Sequence, residues 1–295
     1  MADGGVKSAK PGPWFDQPEP AYAERAKALS NKPDITAAAA DYREKGYLIR
    51  DFGFSESDLA EAARYTKAIT KGRVQDAWLI NPSIRNLATH PRVIEFLNEL
   101  YQAEAFPFQT LNFPRGSQQE THSDTFHFNT LPNGFMCGVW IALEDIHPGS
   151  GPLKYFPGSQ KLPVFSNADL GGADVHKGYT KFIAQTLQTS GHAQETALIK
   201  RGQAFIWAAN LFHGGSPVTD PDKTRLSQVT HYYFRGCSYF TPLASDADRG
   251  KTFWREPYDF LANRFVKNAG PNQRPSWRYR LSERRRIWMK RPHEG

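Results

Sequence analysis

The run Phe135-Met136-Cys137-Gly138-Val139-Trp140-Ile141-Ala142-Leu143-Glu144-Asp145 decides how this chain is read. From Phe135 to Leu143 every position is apolar or glycine, with no alternation. A strand with one wet face alternates, so an unbroken apolar run bounded by turn formers reads as a strand buried on both faces. The turn formers are Pro132-Asn133-Gly134 before it and Pro148-Gly149 after it. Four further β-rich runs surround it: PFQTLNF (107–113), GPLKYFPGS (151–159), ALIKRGQAFIWAA (197–209) and RLSQVTHYYFRG (225–236). Gly, Pro, Asn and Asp clusters separate them.

Upstream the character is helical. DITAAAADYREKG (34–46) predicts a short helix with Asp34 as N-cap and Gly46 as its stop. GYLIRDF then predicts a strand, and Ser55-Glu56-Ser57-Asp58 opens a second helix through about Lys71. HPRVIEFLNELYQ places Val93, Phe96, Leu97 and Leu100 on one helical face. The polar, Gly-rich interruption GGADVHKGYTKFIAQTLQTSGH (171–192) carries at most a short helix. Helices first and strands later, without a linker or repeat, predict a mainly β fold with flanking helices. Its core is a jelly roll (a cupin-like double-stranded β-helix) over about 105–240 with a helical N-terminal buttress. The expected organisation is an arm at 1–30, one domain at 31–270 and a basic aromatic tail at 271–295.

Composition narrows the class. Hydrophobic residues at 39% and aromatics at 13% suffice for a large core. The two cysteines, Cys137 and Cys237, support neither a disulfide framework nor a Cys-based zinc site. The first twenty residues lack the apolar run of a secretory signal and no stretch approaches bilayer length, so a cytoplasmic protein without a membrane span is expected. The net charge of +7 is concentrated: residues 271–295 hold eight Lys/Arg and two acids, leaving the rest nearly neutral. A nucleic-acid partner is therefore not expected. Trp277, Tyr279, Ile287 and Trp288 make the tail a candidate for packing or for contact between copies in a homo-oligomer.

The chemistry gathers around Gln119-Glu120-Thr121-His122-Ser123-Asp124-Thr125-Phe126-His127-Phe128. His122 and Asp124 are two apart, so on extended backbone their side chains share a face. A third ligand is offered by His213, 89 residues beyond Asp124 at the end of the run AFIWAAN. Two histidines and one carboxylate hold a metal on one side and leave three positions open, the facial triad of non-heme Fe(II) oxygenases. Twelve residues after His213 stands Arg225, suited to clamp a carboxylate.

Over residues 40–240 the chain resembles the phytanoyl-CoA dioxygenase-like Fe(II)/2-oxoglutarate oxygenases. The resemblance joins T-H-S-D, V-W-I-A-L-E-D, G-x-G-P-L-x-x-x-P-G-S, G-Q-A-F-I-W and H-G-G-S-P with a trailing Arg, in that order. It implies Fe(II) on His122, Asp124 and His213, and 2-oxoglutarate with its far carboxylate on Arg225. It further implies Trp140, eighteen residues after His122, in the same pocket, with Ser216 as the hydroxyl near that carboxylate. O2 is then the oxidant, and succinate and CO2 are released as a small-molecule substrate is hydroxylated or otherwise oxidised. Two details qualify the match. Gln160 stands where the family commonly has His, so no extra base is available there. Asp124 is retained where related halogenases have Ala or Gly, which argues against halogenation.

Gln109, Thr110 and Asn112 precede the His-x-Asp on a strand and are candidates for the near end of 2-oxoglutarate. Substrate-side candidates are His127, Asn129, Tyr155, Trp207, Arg235 and Trp78, while a structural role is the simpler reading of Trp78. His147, His176, His192 and His231 have no supporting pattern. The neutral body lacks the Lys/Arg clusters of a CoA-sized polyphosphate site, which favours a small metabolite or biosynthetic intermediate. A cupin-type metal-dependent isomerase and a non-catalytic binding module use the same fold and stay open as alternatives. The isomerase needs the triad but not Arg225, and the binding module needs neither.

Overall fold

The structure is a computed structural model that describes residues 11–164, 175–246, 249–270 and 272–290. The first ten residues of the expected arm and the last five of the expected tail lie outside the described residues. The chain opens with α1 (Ala21–Ala28), α2 (Pro33–Lys45), β1 (Tyr47–Asp51), α3 (Glu56–Lys67), β2 (Val74–Gln75), α4 (Pro82–Ala88) and α5 (Pro91–Tyr101). Then come β3 (Ala105–Phe113), β4 (Asn129–Leu131), β5 (Met136–Ala142), β6 (Leu153–Tyr155), α6 (Val175–Ser190) and β7 (Glu195–Thr196). The remainder is β8 (Gln203–Ala208), β9 (His213–Gly215), β10 (Ser227–Phe234), β11 (Ser238–Phe240), β12 (Tyr258–Asp259), β13 (Arg264–Phe265) and α7 (Trp277–Lys290).

Six strands form one antiparallel sheet in the order β1-β8-β5-β10-β3-β2. A three-stranded sheet, β7-β6-β9, and a two-stranded pair, β11-β4, complete the jelly-roll core without closing a barrel. β5 is buried along its whole length because both its faces are covered. Cys137, Val139 and Ile141 join a core shared with Leu59, Ala62, Ile84, Leu87 and Leu97 of the helices. Trp140 and Ala142 join a second core with Leu111, Phe113, Leu153, Phe205, Trp207 and Val229. The helices therefore pack on one face of the large sheet, and the other face is left for the site.

Local details differ from the sequence expectations for physical reasons. α2 starts at Pro33, whose fixed φ suits the first helical position, so Asp34 lies inside the first turn and Lys32 is the cap. Gly46 ends it in the left-handed conformation at φ 80°. Ser55 caps α3 by accepting the Asp58 N–H, and the helix ends at Lys67, four residues before the expected stop. α6 is a 16-residue helix where a short one was expected. Around the N-terminus, Trp14 and Phe15 are buried, Trp14 Nε1 donates to the Leu100 carbonyl, and Arg43 donates to the Phe15 and Gln17 carbonyls. At the other end Ile287 of α7 is buried, and Arg286 pairs with the buried Asp76 and with Glu283.

Candidate metal and co-substrate site

The site forms where the two sheets face each other. His213 opens β9, and its backbone N–H and carbonyl each bond to His122 at 2.9 Å. Two glycines let the 117–120 segment cross this strand. A Cβ on Gly214 would lie 2.8 Å from the Gln119 carbonyl, and one on Gly215 2.6 Å from the Gln118 nitrogen. That close approach is the local reason for the sequence His-Gly-Gly. Ser123 is extended, with φ −117° and ψ 136°, so His122 and Asp124 project to the same side as the alternation rule predicts. The chain then departs from a strand. Asp124–Phe126 is a 3₁₀ turn, and His127 follows in the αR region. That turn brings His127 back to the cavity wall, its ring 6.4 Å from that of His122.

One ligand atom from each of His122, Asp124 and His213 lies within 4.8 Å of the others, and all three residues are buried. The donor set suits a metal beyond mere proximity. Each histidine uses its Nδ1–H on a backbone carbonyl, His122 on Glu120 and His213 on Leu211, both at 2.9 Å. Both rings are thereby fixed in the tautomer that turns a bare Nε2 inward. Gln119 Nε2 lies 3.3 Å from the His122 Nε2 and donates to that lone pair. Asp124 divides its oxygens between two tasks. Oδ1 lies 3.7 Å from His122 Nε2 and 3.9 Å from His213 Nε2. Oδ2 accepts the Trp207 indole N–H at 2.8 Å and faces His231 Nε2 at 3.6 Å. Burial and the adjacent His213 push the His122 imidazole down to about 3, so it is neutral at ordinary pH, as a ligand must be. Burial pushes the Asp124 carboxyl upward, but His213, His231 and His122 outweigh it and hold the group below the usual carboxylate range.

Arg225 shares this cavity of about 330 Å³ with the three ligands. It is 3% exposed, and among the described residues its Nε has no hydrogen-bond partner. Among the described residues its side chain makes one long bond, 3.4 Å from a terminal nitrogen to the Arg115 carbonyl. Its guanidinium carbon lies 5.4 Å from the Phe113 ring and 5.5 Å from that of Trp140. Burial pushes the guanidinium down to about 10, which leaves it charged. A buried cation without a carboxylate partner is costly, and an incoming anion offsets that cost.

The other candidates separate by strand parity. Gln109 lines the cavity, together with Leu111 and Phe113 of the same strand. Thr110 and Asn112 point the opposite way and lie outside the lining, Asn112 donating to Thr66 Oγ1 of α3. Successive strand residues face opposite sides, so the three could not all reach one ligand. Trp140 and Trp207 line the cavity, with Trp207 on the ligand carboxylate itself. Ser216 lies outside the lining, its backbone N–H bonded to Pro152. Asn129 bonds the Thr130 N–H, and the Tyr155 hydroxyl donates to Glu195, both off the cavity wall. Arg235 is committed to Glu104 and Asp259. Trp78 stacks on Phe260 at 4.3 Å among the helices and donates to Asp76. His231 emerged only from the fold. It faces inward from β10, its Nδ1 3.0 Å from Gln109 Oε1. Its parity with Val229 on β10 was the available signal, and a lone strand histidine did not suffice to use it.

The family model for phytanoyl-CoA dioxygenase matches residues 21–226, a span that includes all three candidate ligands and Arg225. The chain belongs to the phytanoyl-CoA dioxygenase family. Among curated proteins, none matches it by sequence. Similar folds occur in EctD from S. alaskensis, solved with 2-oxoglutarate and 5-hydroxyectoine, at 19% identity and TM-score 0.57, covering 81% of this chain and 86% of that one. The epimerase SnoN from nogalamycin biosynthesis, solved with Fe3+, alpha ketoglutarate and nogalamycin RO, is 23% identical at TM-score 0.56, with 70% and 86% covered. The carbocyclase SnoK from the same biosynthesis is 16% identical at TM-score 0.55, with 88% and 100% covered. At these identities the likeness is one of fold. No helix among the described residues is long and apolar enough to cross a membrane.

Proposed function

We propose that this family member is an Fe(II)- and 2-oxoglutarate-dependent dioxygenase that oxidises a small metabolite or biosynthetic intermediate. The carrying observation is the buried Arg225, which has no carboxylate partner among the described residues, in the same cavity as the His122–Asp124–His213 triad. A metal isomerase would use the triad but leave a buried guanidinium without purpose, and a binding module would need neither. The family membership and the iron- and 2-oxoglutarate-bound structures of similar fold support the same reading.

When bound, iron with 2-oxoglutarate and O2 supplies the oxidising power, and succinate and CO2 leave as co-products. The protein's own share is positioning. His122, Asp124 and His213 would hold the metal on one side. The two backbone carbonyls behind the histidines fix their rings, and Trp207 fixes the carboxylate. Arg225 would receive the far carboxylate of 2-oxoglutarate between Phe113 and Trp140, in a setting that excludes water and so strengthens the ion pair. His127 and Phe128 line the cavity beside His122 on the side left for substrate.

Anaerobic addition of Fe(II) and 2-oxoglutarate should produce the visible metal-to-ligand charge-transfer band of a chelated keto acid. Absence of the band sinks the proposal. Arg225→Gln should weaken 2-oxoglutarate roughly tenfold or more while metal binding persists. Loss of metal binding in that variant would make the arginine structural. Because the folds shared include an epimerase and a carbocyclase, the oxidative outcome is settled by product analysis.

A further inference from the structure

Besides Arg225 and the exposed Arg73, a third arginine enters the same cavity. Arg255, in the segment after β11, lines the cavity with the candidate ligands. Its backbone N–H bonds to the Tyr239 carbonyl at 2.7 Å, which fixes where the side chain starts. Its guanidinium carbon sits 4.9 Å from the centre of the Phe128 ring, and one terminal nitrogen donates to Thr241 Oγ1 at 3.1 Å. Its Nε is buried and has no partner among the described residues. Nor does any carboxylate of those residues form an ion pair with it. The neighbouring Glu256 is buried, yet the two are not joined. Arg235, by contrast, is held by two carboxylates, and Arg286 likewise.

Arg255 and Arg225 stand against different walls of the cavity, Arg225 beside Phe113 and Trp140 and Arg255 beside Phe128. Arg225 stands ahead of β10 beside Phe113, whereas His231 lies six residues along the same run, about 20 Å of extended chain away. Phe128, the ring under Arg255, packs 5.3 Å from His231. Asp124 Oδ2 faces the same His231 at 3.6 Å, which puts the candidate metal ligands near Phe128. A 2-oxoglutarate held by Arg225 would leave Arg255 without an anionic partner among the described residues. Arg255 also lies beyond Leu226, where the family match ends.

We infer that the substrate carries an oxyanion group, a carboxylate, sulfonate or phosphate, which Arg255 and Thr241 receive beside the face of Phe128. This rests on the oxygenase reading and names its substrate class. The guanidinium supplies paired N–H donors to such a group, the Thr241 hydroxyl adds a third, and the aromatic ring supports an apolar body. The anchored group would leave the rest of the molecule reaching from Phe128 toward the metal ligands.

The test uses the full chain loaded with Zn(II) and saturating 2-oxoglutarate, which fills Arg225. Four probes of one shape are compared by ligand-observed NMR titration: benzoate, benzenesulfonate, phenyl phosphate and benzamide. At least one anion should bind roughly tenfold more tightly than benzamide, and the best of the three identifies the group. Arg255→Gln should abolish that preference with 2-oxoglutarate affinity unchanged, and Arg255→Lys should keep part of it. Equal binding of benzamide, no binding of any anion, or a preference that survives Arg255→Gln overturns the inference. Calorimetry of 2-oxoglutarate on the same samples separates the two readings. If the co-substrate fails to bind the wild-type chain, the oxygenase reading falls, while the anion preference is still measured against benzamide.

Discussion

His122 and His213 exchange two backbone hydrogen bonds of 2.9 Å, although 91 positions separate them in the chain. The metal-facing edges of both imidazoles are set by that bridge and by the carbonyls of Glu120 and Leu211. Replacing either histidine by alanine leaves the bridge in place and removes one ligand. His122→Ala and His213→Ala should therefore stay folded by circular dichroism and lose stoichiometric Fe(II). If either variant binds Fe(II) like the wild type, that residue is no ligand.

Trp207 is the next test, because its indole N–H holds Asp124 Oδ2 at 2.8 Å. Trp207→Phe keeps the ring in the core and deletes the donor. Loss of such an outer hydrogen bond typically lowers metal affinity by about ten- to a hundredfold. Competition with a chelator measures it, and an unchanged affinity would show that the bond does not orient the ligand.

Gly138 makes the Trp207 position available. A Cβ built there would fall 2.2 Å from the Trp207 ring, on the strand paired beside it. Gly138→Ala should displace the indole from Asp124 and destabilise the fold by about 1–3 kcal/mol through overpacking. Thermal melting and metal affinity should fall together. A lowered melting temperature with metal affinity intact would mean the ring shifts without releasing the carboxylate.

The C-terminal helix makes its own prediction. Asp76 is buried and accepts bonds from the Thr110 backbone N–H and the Trp78 indole, and its charged partner is Arg286 of α7. Arg286→Met strands that carboxylate in the helical layer. Removing one partner of a buried pair costs about 3–5 kcal/mol, and the partial exposure of Arg286 places this case at or below the lower end. Chemical denaturation reads the difference. A change within about 0.5 kcal/mol would mean that water replaces the guanidinium without loss.

Much of the fold was written in local pattern. The unbroken apolar run of β5 required cover on both faces, and it has helices on one and the second sheet on the other. α2 starts two residues before the point an Asp34 cap would set, because Pro33 and Asp34 are both good helix openers and the proline takes the first helical position. At the site, candidates for metal and carboxylate binding could be named from order and spacing, because each needs a rare side-chain type in a fixed sequence context. The polar residues around them could not. Gln109 faces the cavity while Thr110 and Asn112 face the helices, and that choice depends on which face of β3 turns inward.

The sequence by itself determined the strand-rich core, the helical layer in front of it and the candidates for metal and carboxylate binding. Only the tertiary structure decided that Trp207 donates to Asp124, that His231 joins the site, and that His127 returns to the cavity through a 3₁₀ turn. It also set Arg255 apart from Arg235, since one guanidinium lacks a carboxylate among the described residues and the other has two. The physical reason is the same throughout. Residue type and spacing fix what a side chain is able to bind, while pairing between distant strands fixes which partners come within a few ångströms of it.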